Sequence, residues 1–251
     1  MSANTPITTA MIMAAGHGTR MRPLTDDRSK AMVVVDGRPL IDHMLDRLHA
    51  AGIARAVVNV HAHADHLEAH LEARTGGPEI VISDERDELL ETGGGVVKAL
   101  PLLGDAPIFV CNIDSVWSEF TPVIDALIDA WDEDEMSELF LLAPADQCLG
   151  YSGRGDFDMD AAGRLSRRSG PTARWVYAGV QIFKPVLAQG YKIEPFSRNV
   201  IWDKTLSRRR VFGLPIPGYW MHVGDPEAVK AAEAVFAGED ELEAPPRSHA
   251  S

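Results

Sequence analysis

Met11-Ile12-Met13-Ala14-Ala15-Gly16-His17-Gly18-Thr19-Arg20-Met21-Arg22-Pro23-Leu24-Thr25, with Ser29-Lys30 close behind, is the stretch that decides the fold. The apolar run from Ala10 to Ala15 predicts a buried strand. It breaks at two glycines and then meets a threonine and two arginines. Gly16 and Gly18 permit backbone conformations and close approaches that a Cβ forbids. Such a loop turns consecutive N–H groups toward anionic oxygens. Arg20 and Lys30 add full positive charge, and an arginine grips phosphate through two parallel bonds. Bare amides, small residues and cations at one strand end suit a nucleoside triphosphate.

Two other nucleotide motifs are not completed. Met21 stands where the dinucleotide fingerprint needs its third glycine, and no Gly-Lys-Ser/Thr follows to make a Walker loop. Outward from the loop, Ala31 to Val35 is expected to be extended and Leu40 to Ala51 helical, with Ile41, Met44, Leu45 and Leu48 on one face. Ala56 to Val60 predicts a strand, Ala64 to Ala73 a helix and Glu79 to Ser83 a strand. This alternation implies an α/β fold: a Rossmann-like, doubly wound, mixed but mostly parallel sheet. Ligands of such sheets lie at the carboxyl ends of strands, near a switch in strand order. The opening loop sits there.

Later segments supply further candidates. Thr92 precedes Gly93, Gly94 and Gly95, a second place where a flat base could lie against bare backbone; a loop entering a helix has the same composition. The strand Pro107 to Asn112 runs into Asp114, a hard oxygen ligand for Mg²⁺. A helix cap is the alternative use of an Asp at this place, and the metal reading is favoured because a phosphate loop precedes it. Asn112 beside it offers an amide to a sugar hydroxyl or phosphate. Phe157 to Met159 and Arg164 to Ser166 predict a hairpin, Trp175 to Phe183 a strand, Phe196 to Thr205 an amphipathic helix, and Pro226 to Phe236 a closing helix capped by Asp225. His61, His63, His66 and His70 fit an exposed helical face better than a metal site, because no carboxylate or cysteine constellation accompanies them.

A net charge of −13 argues against nucleic acid and anionic membranes as partners, since both demand a basic stripe. No run approaches the ~20 apolar residues of a membrane span. Ser2 to Thr9 lacks the regions of a signal peptide. Two cysteines, Cys111 and Cys148, make no disulfide framework. A reduced, cytoplasmic setting is expected. The acidic tail 238–251 is expected to be disordered.

The string Ala-Ala-Gly-x-Gly-Thr-Arg-Met-x-Pro-Leu-Thr followed by Lys resembles the signature of the sugar-1-phosphate nucleotidyltransferases, with Ser29 where many members carry proline. That resemblance implies a GT-A-like single domain over 1–237. Its nucleotide half would cover about 8–115 and its sugar half about 116–237, with no β-helix domain. It implies a nucleoside triphosphate and a sugar 1-phosphate as partners, a monomer or small homo-oligomer, and Mg²⁺, with Mn²⁺ possible, as cofactor. Ala14, Ala15, Gly16, Gly18, Thr19 and Arg20 would hold the triphosphate. Glu91-Thr92-Gly93-Gly94-Gly95 is similar to the family's base-binding segment. Arg20, Lys30 and Asp114 would be catalytic, Asp114 as the metal ligand of a Val-Asn-x-Asp-like string. The segment Gly153-Arg154-Gly155-Asp156-Phe157, with the strand holding Gly179, resembles one subgroup, the N-acetylmuramate α-1-phosphate uridylyltransferases of cell-wall sugar recycling. Asn112, Asp156 and Gly179 would then meet the sugar, although Asp156 also suits a plain turn. His222 departs from the family, standing where many members have a second metal-binding Asp; imidazole is a softer donor. Glucose- or mannose-1-phosphate are the alternative substrates, and a sugar-nucleotide-binding module without turnover is the alternative of another class. A dinucleotide oxidoreductase is disfavoured by Met21 and by Asn59 and His61 at the second strand's end.

Overall fold

β1 (Thr9–Met13) organises the molecule because its side chains alternate between two cores: Ala10 and Ile12 enter one apolar cluster and Met11 the other. This is the two-residue period of a strand covered on both faces. The structure, a computed structural model, describes residues 4–238. Residues 2–3 of the leader reading and 239–251 of the acidic tail lie outside the described residues.

After the glycine loop come β2 (Val34–Val35), β3 (Arg38–Pro39), α1 (Leu40–Ala50), β4 (Arg55–Val60), α2 (Ala64–Ala73), β5 (Glu79–Asp84), α3 (Glu91–Leu103) and β6 (Ile108–Asn112). The chain continues through β7 (Ser115–Glu119), α4 (Val123–Ala130), β8 (Glu138–Pro144), β9 (Phe157–Met159), β10 (Leu165–Arg167) and β11 (Trp175–Phe183). It ends in α5 (Asn199–Ser207), β12 (Val211–Pro215), β13 (Gly218–His222) and α6 (Pro226–Phe236).

Nine strands form the central sheet. β6, β1, β4 and β5 run parallel, side by side. β11 then pairs antiparallel with β6, β8 antiparallel with β11, and β12 parallel with β8. The apolar face of α1 packs where its spacing put it, with Ile41, Met44, Leu45 and Leu48 at most 2% exposed. Among the described residues no helix is long and apolar enough to cross a membrane.

Two local expectations are corrected and one pairing is added. The segment 31–35 is not extended throughout, because Lys30–Met32 forms a 3-10 turn before β2. The glycines 93–95 lie inside the first turns of α3 rather than in a loop. An unforeseen two-stranded pair, β7 with β13, sets Ser115 opposite His222 and Trp117 opposite Trp220.

Candidate active site

From β1 the chain moves to β4 and β5 on one side and then crosses to β6 on the other. Loops leaving β1 and β6 therefore diverge, and a crevice opens at their carboxyl ends. Two cavities occupy it, of about 480 and 320 Å³, and they share Asn112 and Asp114. Of the residues predicted for the nucleotide, Ala15, Gly16, Gly18, Thr19, Arg20 and Thr92 line the larger one, together with Lys30. Asp156, Gly179 and His222 line the smaller.

The glycine loop is built by short local constraints. Gly18 has φ +60, and a Cβ there would press at 3.1 Å on both the Lys30 and Thr25 side chains. Thr25 donates its hydroxyl to the Gly18 carbonyl at 2.8 Å, and buried Met21 pins the following turn to the core. Ser29 accepts from the Ala31 N–H at 3.3 Å, capping the turn that carries Lys30. Arg20 bonds none of the described residues and is free to take an anion.

Lys30 donates from Nζ to Asp114 Oδ2 at 3.0 Å, and His222 Nε2 lies 3.3 Å from the same oxygen. Burial alone would raise the Asp114 pKa, but the Lys30 ammonium and the His222 ring outweigh it and hold the carboxyl well below its usual range. Asp114 is therefore an ionised group, and its Oδ1 bonds none of the described residues. The β7–β13 register explains how His222 arrives there. Its ring stacks on Trp220 at 5.7 Å, and a Cβ on Gly224 would come within 2.6 Å of it.

Ala14 and Gly93–Gly94 take other places. The N–H groups of Ala14 and Ala15 donate to Asn59 Oδ1 at 2.6 and 3.2 Å, so neither amide is left for a ligand, and Ala14 is buried. Asn59 donates in turn to Glu85 at 2.7 Å, and Glu85 accepts from the Leu90 N–H at 3.2 Å. Burial raises the Glu85 pKa. This network ties the glycine loop to the start of α3. The bare surface of Gly93 and Gly94 is filled by the chain itself, because Gly93 donates to the Phe196 carbonyl at 2.8 Å and a Cβ on either glycine would overlap Phe196 or Glu194. What faces the larger cavity is Thr92, whose hydroxyl accepts from the Arg198 N–H at 2.9 Å.

On the other side, Gly179 has φ +82 where β11 bulges, and a Cβ there would overlap the Ser115 hydroxyl. Its first use is to let β11 pass β7. Asp156 accepts from the Tyr177 N–H at 2.9 Å, a bond to a residue far along the chain, and it faces the cavity. Arg198 was not foreseen from sequence. It is 2% exposed and reaches Tyr177 Oη at 3.2 Å and Asn112 Oδ1 at 3.5 Å, which leaves the Asn112 amide nitrogen to donate. No motif marks it; only its place just ahead of a helix facing the crevice could have hinted at it. His70 meets Asp42 at 3.1 Å and His61 donates to the Glu85 carbonyl at 2.7 Å.

Among the described residues no three His, Cys, Asp or Glu side chains converge as a metal cluster. Asp114 alone offers an ionised, partly open carboxylate at the junction of the cavities. One carboxylate completed by phosphate and water oxygens is a donor set that Mg²⁺ accepts, so the residues present fit such an ion.

A family profile described as nucleotidyl transferase matches residues 9–151. The chain is 50% identical to a protein of Caulobacter vibrioides named N-acetylmuramate alpha-1-phosphate uridylyltransferase, over 91% of this chain and 96% of that one. It is 33% identical to a protein of the same name from Neisseria meningitidis serogroup B, over 90% and 97% of the two chains. The solved UDP-glucose pyrophosphorylase complexed with UDP-glucose superposes with a TM-score of 0.76 at 14% identity, covering 94% of this chain and 100% of that one, a likeness of fold.

Proposed function

The chain belongs to the nucleotidyl transferase family, and from that premise we propose that it joins UTP to N-acetylmuramate α-1-phosphate, giving the UDP-sugar and pyrophosphate. The observation that carries the assignment is the pair of cavities sharing Asn112 and Asp114, one behind the glycine loop and the other against β11. Two ligands lying in them would meet at those two side chains.

An oxygen of the sugar phosphate attacks the α-phosphorus of the triphosphate, and the bond to the β-phosphate oxygen breaks as pyrophosphate leaves in line. The phosphate is already a nucleophile, so no base is required. The difficulty is to bring two polyanions together, and positioning with charge neutralisation overcomes it. Arg20 and the amides around Gly16 and Gly18 take the β- and γ-phosphates. Lys30 lies at the seam and reaches the reacting phosphates from its place beside Asp114. Asp114 would hold a divalent ion, Mg²⁺ with Mn²⁺ as substitute, which supplies positive charge to the same oxygens when bound. Thr92 and Leu89 border the base, while Asn112, Asp156 and the wall at Gly179 border the sugar. Two free cysteines accord with a cytoplasmic enzyme.

A substrate matrix tests this. Each nucleoside triphosphate is crossed with muramyl, glucosaminyl, glucosyl and mannosyl 1-phosphates, with Mg²⁺ or Mn²⁺, and pyrophosphate is followed. UTP with the muramyl phosphate should give the highest kcat/KM. Release only with glucosyl or mannosyl phosphate, or nucleotide binding without any release, would contradict the assignment.

A further inference from the structure

The smaller cavity holds a cation that the transfer chemistry leaves unused. β6 and β9 share one edge of β11, since Val180 pairs with Cys111 and Trp175 with Phe157. Five residue steps along β11 separate those two pairings, at most roughly 16 Å at the usual strand rise because the bulge at Gly179 shortens the path. The cavity fills that interval. Its β6 end carries Asn112 and Asp114, where a sugar phosphate would be met. Its opposite end carries Phe157 and, directly across the strand pair, Arg167.

Arg167 is held ready. Its Nε donates to Asp203 at 2.8 Å, its Nη2 donates to Asn199 at 2.8 Å, and its guanidinium lies over the rings of Phe157 and Trp202 at 5.2 and 5.7 Å. Nη1 bonds none of the described residues. Asp203 Oδ1 meets both Nε and Nη2, at 2.8 and 2.7 Å, so Nη1 is the part of the guanidinium left for a second acceptor. No other Lys or Arg among the described residues lines this cavity. Arg198 nearby is 2% exposed and does not line this cavity.

We propose that Arg167 binds a carboxylate borne by the sugar on the side away from its phosphate, so that this cavity selects an acidic sugar 1-phosphate. The inference rests on the substrate assignment above and extends it. N-acetylmuramate carries a lactyl ether on O3 that ends in a carboxylate, where N-acetylglucosamine has a hydroxyl. A guanidinium fixed by two acceptors and two rings forms a charge-assisted bond with little further loss of side-chain freedom.

The test compares kcat/KM for N-acetylmuramate α-1-phosphate and N-acetylglucosamine α-1-phosphate, at saturating UTP, in the wild type, Arg167→Met and Arg167→Lys. The muramyl-to-glucosaminyl ratio should fall at least about tenfold in Arg167→Met, mainly through the muramyl KM, and recover in part in Arg167→Lys. Should Arg167→Met fold poorly, Arg167→Gln keeps a donor for Asp203 without the charge and carries the same comparison. An unchanged ratio, or equal losses on both sugars, would overturn the proposal while leaving the transfer assignment intact. A wild type that takes neither sugar, or does not distinguish them, would remove the substrate assignment and this proposal with it.

Discussion

Lys30 and Asp114 form a pair whose members need each other: the ammonium keeps the carboxylate ionised, and the carboxylate holds the ammonium at the seam between the cavities. Lys30→Met should therefore lower pyrophosphate release by about 10²–10³-fold, the usual cost of removing one transition-state donor. A variant within a few-fold of wild type would show that Lys30 does not reach the reacting phosphates. A second carboxylate behaves oppositely. Glu138 is fully buried, and burial pushes its pKa from 4.5 up to about 7, against the opposing pull of Thr205, Arg198 and Gln181. The folded chain then binds a proton that the unfolded chain has released, so stability falls as pH rises from 4.5 to about 7. Glu138→Gln cannot ionise, and its melting temperature should gain on the wild type across that window. A constant difference between the two melting curves would rule the titration out. At this scale the sequence displayed Arg20, Lys30 and Asp114 because they stand in an ordered string. Arg198, Asn59 and Glu85 were hidden, since their importance comes from partners far along the chain.

At the scale of elements, α2 and β11 follow from hydrophobic period and α6 from period together with capping chemistry. Asp225 accepts from the Ala228 N–H at 2.9 Å as a cap should. α3 did not, because three glycines near its start look like a loop when only local propensity is weighed. Tertiary packing reverses that preference: the 194–196 segment lies so close that no Cβ fits at Gly93 or Gly94. Gly94→Ala would improve an isolated helix, yet here it should destabilise the protein by about 1–3 kcal/mol through overpacking. It should also raise the KM for UTP, because Thr92 is displaced with the helix start. Thermal melting and initial rates would register both effects; a more stable variant with native KM would contradict the packing. The β7–β13 pair escaped notice for a related reason. Its strands are about a hundred residues apart in sequence, and the second follows a Pro/Gly-rich turn. Only their pairing brings the His222 ring to within 3.3 Å of Asp114.

Across the whole molecule, one sheet presents two cavities at a single edge, and their common wall is the end of β6. Residues from late in the chain, Ser197 and Gly224, complete the first cavity, while Asn112 and Asp114 from earlier in the chain open onto the second. The division into successive halves suggested by the sequence therefore does not separate the linings. The most direct measurement is pyrophosphate release from UTP and N-acetylmuramate α-1-phosphate with Mg²⁺, compared between wild type and Asp114→Ala, with UTP binding followed in parallel. Wild-type release that requires both the sugar phosphate and the ion, falling at least about 10²-fold in Asp114→Ala while UTP still binds, is the predicted result. Near-native release by Asp114→Ala would contradict the claim that the two substrates meet there.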